Sequence, residues 1–148
     1  MFSFLSGNTE TKKKYIGFED VKYAISNPRD FIIINTLSVN NQDVLIQGTL
    51  ECDKEETAIN EQLTNYRAPD IPIIIYGSNC SDESALKKEE QLIRLGVKHV
   101  YIYMGGMFEW LLLQDIYGYD EFPTTNKCAD LLKYRSTRRL EKRLLLEY

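Results

Sequence analysis

The middle of the chain reads Ile73-Ile74-Ile75-Tyr76-Gly77-Ser78-Asn79-Cys80-Ser81-Asp82-Glu83-Ser84. Its first four residues are apolar and β-branched or aromatic, which predicts a strand buried on both faces, as parallel sheets require. Small and polar residues follow, and a helix is predicted from Asp82 to Leu95, because apolar residues recur there at helical spacing. Ser81 is a suitable N-cap, and Asp82 and Glu83 complement the dipole of the first turn. Gly96 predicts the end of the helix.

The same alternation of strands and helices continues on both sides of this unit. Apolar runs at Phe31–Ile34 and Val97–Tyr103 predict two more buried strands, and Tyr15–Phe18 predicts a short one. Helices are predicted at Glu19–Ser26, Asp53–Tyr66 and Met107–Tyr117. Strands that alternate with helices favour an α/β fold, in which a central parallel sheet is flanked by helices.

Length and composition are those of one folded domain with two polar ends. The chain has 148 residues, of which 43% are hydrophobic and 27% charged. We expect a flexible basic N-terminal arm over residues 1–14, a domain over residues 15–122 and a C-terminal extension over residues 123–148.

The C-terminal extension contains a basic stretch that predicts an amphipathic helix over Ser136–Tyr148. Two leucines, four residues apart, fall on one side of this helix with basic residues around them. The residues expected to contact a partner are Arg138, Arg139, Leu140, Lys142, Arg143 and Leu144.

Composition also argues against several classes of function. No apolar run approaches the ~20 residues that a membrane span needs, and the net charge of −4 argues against nucleic-acid binding. Apolar residues precede Lys12, the reverse of a secretory signal, so we expect a cytoplasmic protein. Three widely spaced cysteines and the single His99 predict reduced thiols, with no metal site and no cofactor.

Four segments together resemble the rhodanese-like domain family. Phe31–Leu37 is similar to the family's buried strand, and Leu45-Ile46-Gln47-Gly48-Thr49 to its His-Ile-x-Gly-Ala segment. The segment from Ile73 to Leu95 resembles the strand, loop and helix of the catalytic region. Gly96–Tyr101, followed by Gly105-Gly106-Met107-Phe108-Glu109-Trp110, resembles the ending of such domains. The resemblance covers residues 16–117 and implies a rhodanese-like single domain.

The resemblance also implies where the chemistry of the family would be. Such domains transfer sulfur through a cysteine that stands first in the loop, and here that position is Gly77. Asn35, Leu37 and Leu45 replace the family's usual Asp, Arg and His. A phosphatase of the Cys-x5-Arg type would need an arginine where Glu83 stands. The loop is therefore interpreted as degenerate over Gly77, Ser78, Asn79, Ser81, Asp82, Glu83 and Ser84.

Three functions remain open on the sequence alone. The leading hypothesis is a catalytically inactive rhodanese-like module that acts in protein binding, regulation or assembly. The alternative enzyme is a sulfurtransferase that uses Cys80, three residues after the expected position of the nucleophile. The third hypothesis is a structural component of a larger assembly such as a virus particle. The sequence does not give the oligomeric state.

Overall fold

A computed structural model describes residues 12–65 and 70–140. Four parallel strands form its sheet, in the order β1-β4-β3-β2. The strands are β1 (Lys14–Tyr15), β2 (Ile32–Asn35), β3 (Ile73–Tyr76) and β4 (Val100–Tyr103). Ile74 of β3 pairs with Ile33 on one side and Tyr101 on the other. The central strand is fully buried, which confirms the parallel α/β fold predicted from the apolar run at Ile73–Tyr76.

Helices cover both faces of this sheet. They are α1 (Phe18–Ser26), α2 (Cys52–Thr64), α3 (Ser84–Leu95) and α4 (Gly106–Tyr117), with short 3₁₀ helices at Val39–Asn41 and Leu131–Tyr134. Successive side chains of a strand point to opposite faces. Ile73 and Ile75 accordingly pack in the cluster beneath α2 and α3, whereas Ile74 packs with Trp110 in the other cluster.

Several element boundaries differ from those predicted. The first strand begins at Lys14, within the predicted arm, and Phe18 already belongs to α1. Lys13 is also held by the fold, because its Nζ lies 2.9 Å from the buried carboxylate of Glu89. Gly96 ends α3 as predicted, with φ +105 in the left-handed region that favours glycine.

Residues 123–134 pack on the domain rather than leaving it. Phe122 lies with its ring centroid 5.1 Å from that of Trp110, and Trp110 Nε1 donates to the carbonyl of Pro123. Thr124 and Tyr134 are both buried. The predicted end of the domain at residue 122 is therefore too early, because these later residues complete the core of the α1 and α4 face.

The predicted helix at Ser136–Tyr148 does not begin where the sequence suggested. Residues 136–140 have no regular secondary structure, and Leu140 is 70% exposed rather than on a buried face. The remaining residues of that prediction, including Lys142, Arg143 and Leu144, lie outside the described residues. In the described part of the chain, none of the helices has both the length and the apolar character of a membrane span.

Candidate functional site

The loop between β3 and α3 lies at the carboxyl end of the sheet, where ligands bind in open α/β folds. Two backbone hydrogen bonds join this loop to the start of α4. Met107 N–H donates to the carbonyl of Gly77 (3.0 Å), and Phe108 N–H donates to that of Ser78 (2.9 Å). Gly106 permits this close approach, because a Cβ there would lie 2.5 Å from the Gly77 oxygen. Its φ of +66 also favours glycine.

The Asp82 carboxylate binds the loop from within. Its Oδ2 accepts a hydrogen bond from Ser78 N–H and its Oδ1 one from Ser84 N–H, both at 2.9 Å. Burial alone raises the pKa of the Asp82 carboxyl, but these hydrogen bonds outweigh it, so the pKa lies below its ordinary value. The prediction of Ser81 as N-cap is wrong. Helix α3 begins at Ser84, two residues later than predicted, because Asp82 folds back over the loop.

The same carboxylate fills the space beside Gly77. A Cβ at Gly77 would lie 2.7 Å from Asp82 Oδ2 and 3.2 Å from Ser84 Oγ. The φ of Gly77 is outside the left-handed region, so the backbone itself would accept a side chain. The obstacle to a side chain at this position is therefore Asp82, which must move before one can fit.

Residues at the end of β2 support the other side of the loop. Thr36 Oγ1 lies 2.6 Å from Ser84 Oγ, and Thr36 N–H donates to the carbonyl of Tyr76. Asn35 is buried, and its Oδ1 accepts from Leu37 N–H (3.0 Å). The sequence patterns did not single out Thr36, whose role depends on strand register and on the position of Ser84.

Residues 131–139, named here the C-terminal strap, lie across the mouth of the loop. Asn79 Nδ2 donates to the carbonyl of Tyr134 (3.0 Å), and the Tyr134 hydroxyl donates to the carbonyl of Asn41 (3.0 Å). Arg139 Nη2 donates to the carbonyl of Ser81 (3.2 Å). The strap is thus hydrogen-bonded to the loop at two residues, Tyr134 and Arg139.

A recess of about 210 Å³ separates the loop from the strap. Four loop residues and five strap residues line it: Ser78, Asn79, Ser81, Asp82, Lys133, Arg135, Ser136, Thr137 and Arg139. Cys80 is exposed and contributes nothing to this wall. All three cysteines are free thiols, and no cluster of metal-binding side chains occurs in residues 12–65 or 70–140.

The structure unites some of the predicted site residues and separates others. Four predicted loop residues line the recess together with Arg139: Ser78, Asn79, Ser81 and Asp82. Gly77 and Ser84 are not part of its wall, and Glu83 and Arg138 are exposed outside it. Sequence reasoning missed Lys133 and Arg135, the cationic residues on either side of Tyr134. The sequence feature that could have pointed to them is the Lys133-Tyr134-Arg135 alternation of basic and aromatic residues. It lies in a segment that we had interpreted as a polar tail.

Comparison with known proteins identifies the fold. No protein-family profile and no curated protein matches the sequence. Among solved structures, the Alr3790 protein from Anabaena sp. is similar with a TM-score of 0.52 and 18% identity, over 80% of this chain and 96% of that one. The rhodanese-like domain of Alr3790 gives a TM-score of 0.51 and 21% identity, over 88% and 96%.

A third structure is the single-domain sulfurtransferase RDL2 of Saccharomyces cerevisiae. It has a TM-score of 0.51 and 20% identity, over 78% of this chain and 99% of that chain. Together these similarities show that the chain has a rhodanese-like fold. At such identities the likeness concerns the fold alone.

Proposed function

We propose that this chain is a rhodanese-fold module without catalytic activity, which binds a protein partner or takes a place in a larger assembly. The observation that carries the proposal is the position of the Asp82 carboxylate. It lies where a side chain at residue 77 would be, 2.7 Å from the Cβ that Gly77 lacks. A carboxylate fixed in that place has no nucleophilic role in sulfur transfer.

The chemistry of sulfur transfer explains why this arrangement supports inactivity. A reactive thiolate needs positive or hydrogen-bond-donating surroundings, which lower its pKa and hold the persulfide. Here the N–H groups of Ser78 and Ser84 already donate to Asp82. The carboxylate charge would also repel a thiolate at residue 77 and an anionic donor, such as thiosulfate, that reached the same space beside Gly77.

A sulfurtransferase that uses Cys80 is the second candidate. Its exposure in the same loop favours this reading, since an exposed thiol can reach a sulfur donor. Cys80 lies outside the wall of the recess, however, and the nearby Arg139 donates to the carbonyl of Ser81 rather than to the thiol. The first candidate is therefore better supported.

Transfer of sulfur from thiosulfate to cyanide decides between them. We expect no thiocyanate above a protein-free blank, from either the natural chain or a Cys80→Ser variant. The single-domain sulfurtransferase RDL2 of Saccharomyces cerevisiae serves as the positive control under the same conditions. Turnover that disappears in Cys80→Ser but persists in Cys128→Ser would refute the proposal and establish the second candidate.

A further inference from the structure

The recess between the loop and the C-terminal strap concentrates positive charge on an otherwise acidic chain. Three cationic side chains of the strap line it, although the whole chain carries a net charge of −4. Lys133 is largely neutralised, because its Nζ lies 2.7 Å from Asp43 Oδ1. The uncompensated charge therefore belongs to Arg135 and Arg139.

Both arginines keep hydrogen-bond donors for a ligand. Within residues 12–65 and 70–140, neither forms an ion pair with a carboxylate. Arg135 Nη1 donates to the carbonyl of Leu132, and Arg139 Nη2 donates to that of Ser81. A guanidinium has five N–H donors, so these single contacts orient each group and leave most donors uncommitted.

The rest of the wall also suits an anion. Four hydroxyl side chains line the recess: Ser78, Ser81, Ser136 and Thr137. The one carboxylate in the wall is Asp82; both of its oxygens accept backbone hydrogen bonds from the loop, and its single negative charge is outweighed by the positive charges of Arg135 and Arg139. A water takes roughly 30 Å³ of liquid, so about 210 Å³ admits a phosphate-sized group with some solvent.

We propose that this recess binds a phosphate monoester carried on a serine or threonine of a partner protein. Arginine recognises phosphate with paired, charge-assisted hydrogen bonds, and the dianion is attracted more strongly than a single carboxylate. The site uses strap side chains and lies outside the space beside Gly77, which Asp82 fills. The inference rests on the binding role proposed above and adds the chemistry that is recognised.

The test titrates ¹⁵N-labelled protein in two arms at constant ionic strength. The first arm adds inorganic phosphate, and the second adds a phosphoserine peptide or the same peptide with unmodified serine. We expect saturable amide shifts confined to residues 78–82 and 133–139, tighter binding of the phosphopeptide than of free phosphate, and no shifts with the unmodified peptide. Affinity should fall as salt screens the charges.

Variants decide whether the two arginines are responsible. Arg135→Gln with Arg139→Gln should weaken binding by at least about tenfold, since each charge-assisted contact contributes on that order. Arg29→Gln, which removes an exposed arginine from the α1–β2 connection, should leave binding unchanged. The variant Arg135→Lys with Arg139→Lys keeps both charges but lacks the paired hydrogen-bond geometry of arginine. It should weaken binding by a smaller factor than the double glutamine variant. Retained binding in this variant also shows that the strap still folds.

Three outcomes would overturn the inference. They are the absence of saturable shifts, shifts that persist in the double glutamine variant, and arginine-dependent binding to anionic vesicles with no response to the phosphopeptide. The experiment contains no sulfur donor and gives the same answer in a Cys80→Ser background. Sulfur transfer by Cys80 would refute the proposed inactivity without altering these shifts, so the two failures are distinguishable.

Discussion

The β3–α3 loop and the C-terminal strap form the two sides of one recess, yet their polar groups are used in opposite ways. In the loop, the Asp82 carboxylate accepts hydrogen bonds from the N–H groups of Ser78 and Ser84, which would otherwise be free to bind an anion. In the strap, the hydrogen bonds of Arg135 and Arg139 with other described residues go to backbone carbonyls. The backbone donors of the loop are thus satisfied internally, while the side-chain donors that remain for a ligand come from the strap.

This comparison depends first on the strap being an integral part of the domain. Tyr134 anchors it: the side chain is 1% exposed and packs in the core cluster with Trp110. Tyr134→Ala should lower the free energy of unfolding by about 3–4 kcal/mol, because it removes a large buried ring. Urea denaturation measures the loss.

Tyr134→Phe is the matched control for that variant. It keeps the ring and removes only the hydroxyl that donates to Asn41, so it should cost about 1 kcal/mol. If Tyr134→Ala were as stable as the natural chain, the strap would be a detachable tail rather than an integral part of the domain.

The sequence predicted the sheet well because local patterns determine it. The isoleucine run at Ile73–Ile75 could belong only to a strand with both faces covered, and Gly96 marked the end of α3. The strap could not be predicted in this way. The contact between Tyr134 and Asn41 joins residues 93 positions apart, and no periodicity reports such a pair.

The position of the loop in the fold was predicted, but its internal contacts were not. The order of segments placed the loop at the carboxyl end of β3, and the acidic residues at its end were interpreted as complementing the dipole of α3. Which acid folds back depends on loop geometry: Asp82 reaches Ser78 and Ser84, whereas Glu83 is exposed. Composition alone does not distinguish these two neighbours.

The second prediction tests whether the Asp82 carboxylate stabilises the loop by accepting its backbone hydrogen bonds. Asp82→Asn should cost about 1–2 kcal/mol at pH 7, because each carboxylate oxygen accepts one backbone hydrogen bond and the amide keeps only one oxygen that can accept. The folded pKa of Asp82 lies below its ordinary value of 3.8. The unfolded chain therefore binds the proton first as pH falls, and stability is lost on acidification.

The difference between the natural chain and Asp82→Asn should accordingly be complete above about pH 5 and shrink as pH falls below 3.8. Chemical denaturation at pH 7 and pH 3 measures it. Glu83→Gln is the control, because it neutralises the exposed neighbouring acid and leaves the two hydrogen bonds of Asp82 in place. A difference for Asp82→Asn that is equal at both pH values would mean that its charge does not hold the loop.

The third and smallest effect concerns the space beside Gly77. Gly77→Ala places a methyl group 2.7 Å from Asp82 Oδ2, so the carboxylate must move and weaken its hydrogen bond from Ser78. We expect a cost of about 1 kcal/mol in the natural chain.

In an Asp82→Ala background the same change should be neutral or slightly stabilising, because alanine restricts the unfolded chain and the obstructing oxygen is gone. The cycle should therefore give a coupling energy of about 1 kcal/mol, whereas the parallel cycle with Glu83→Ala should be additive within about 0.5 kcal/mol. Additivity in both cycles would mean that Asp82 does not occupy the place of a residue-77 side chain, and the main argument for an inactive loop would fail.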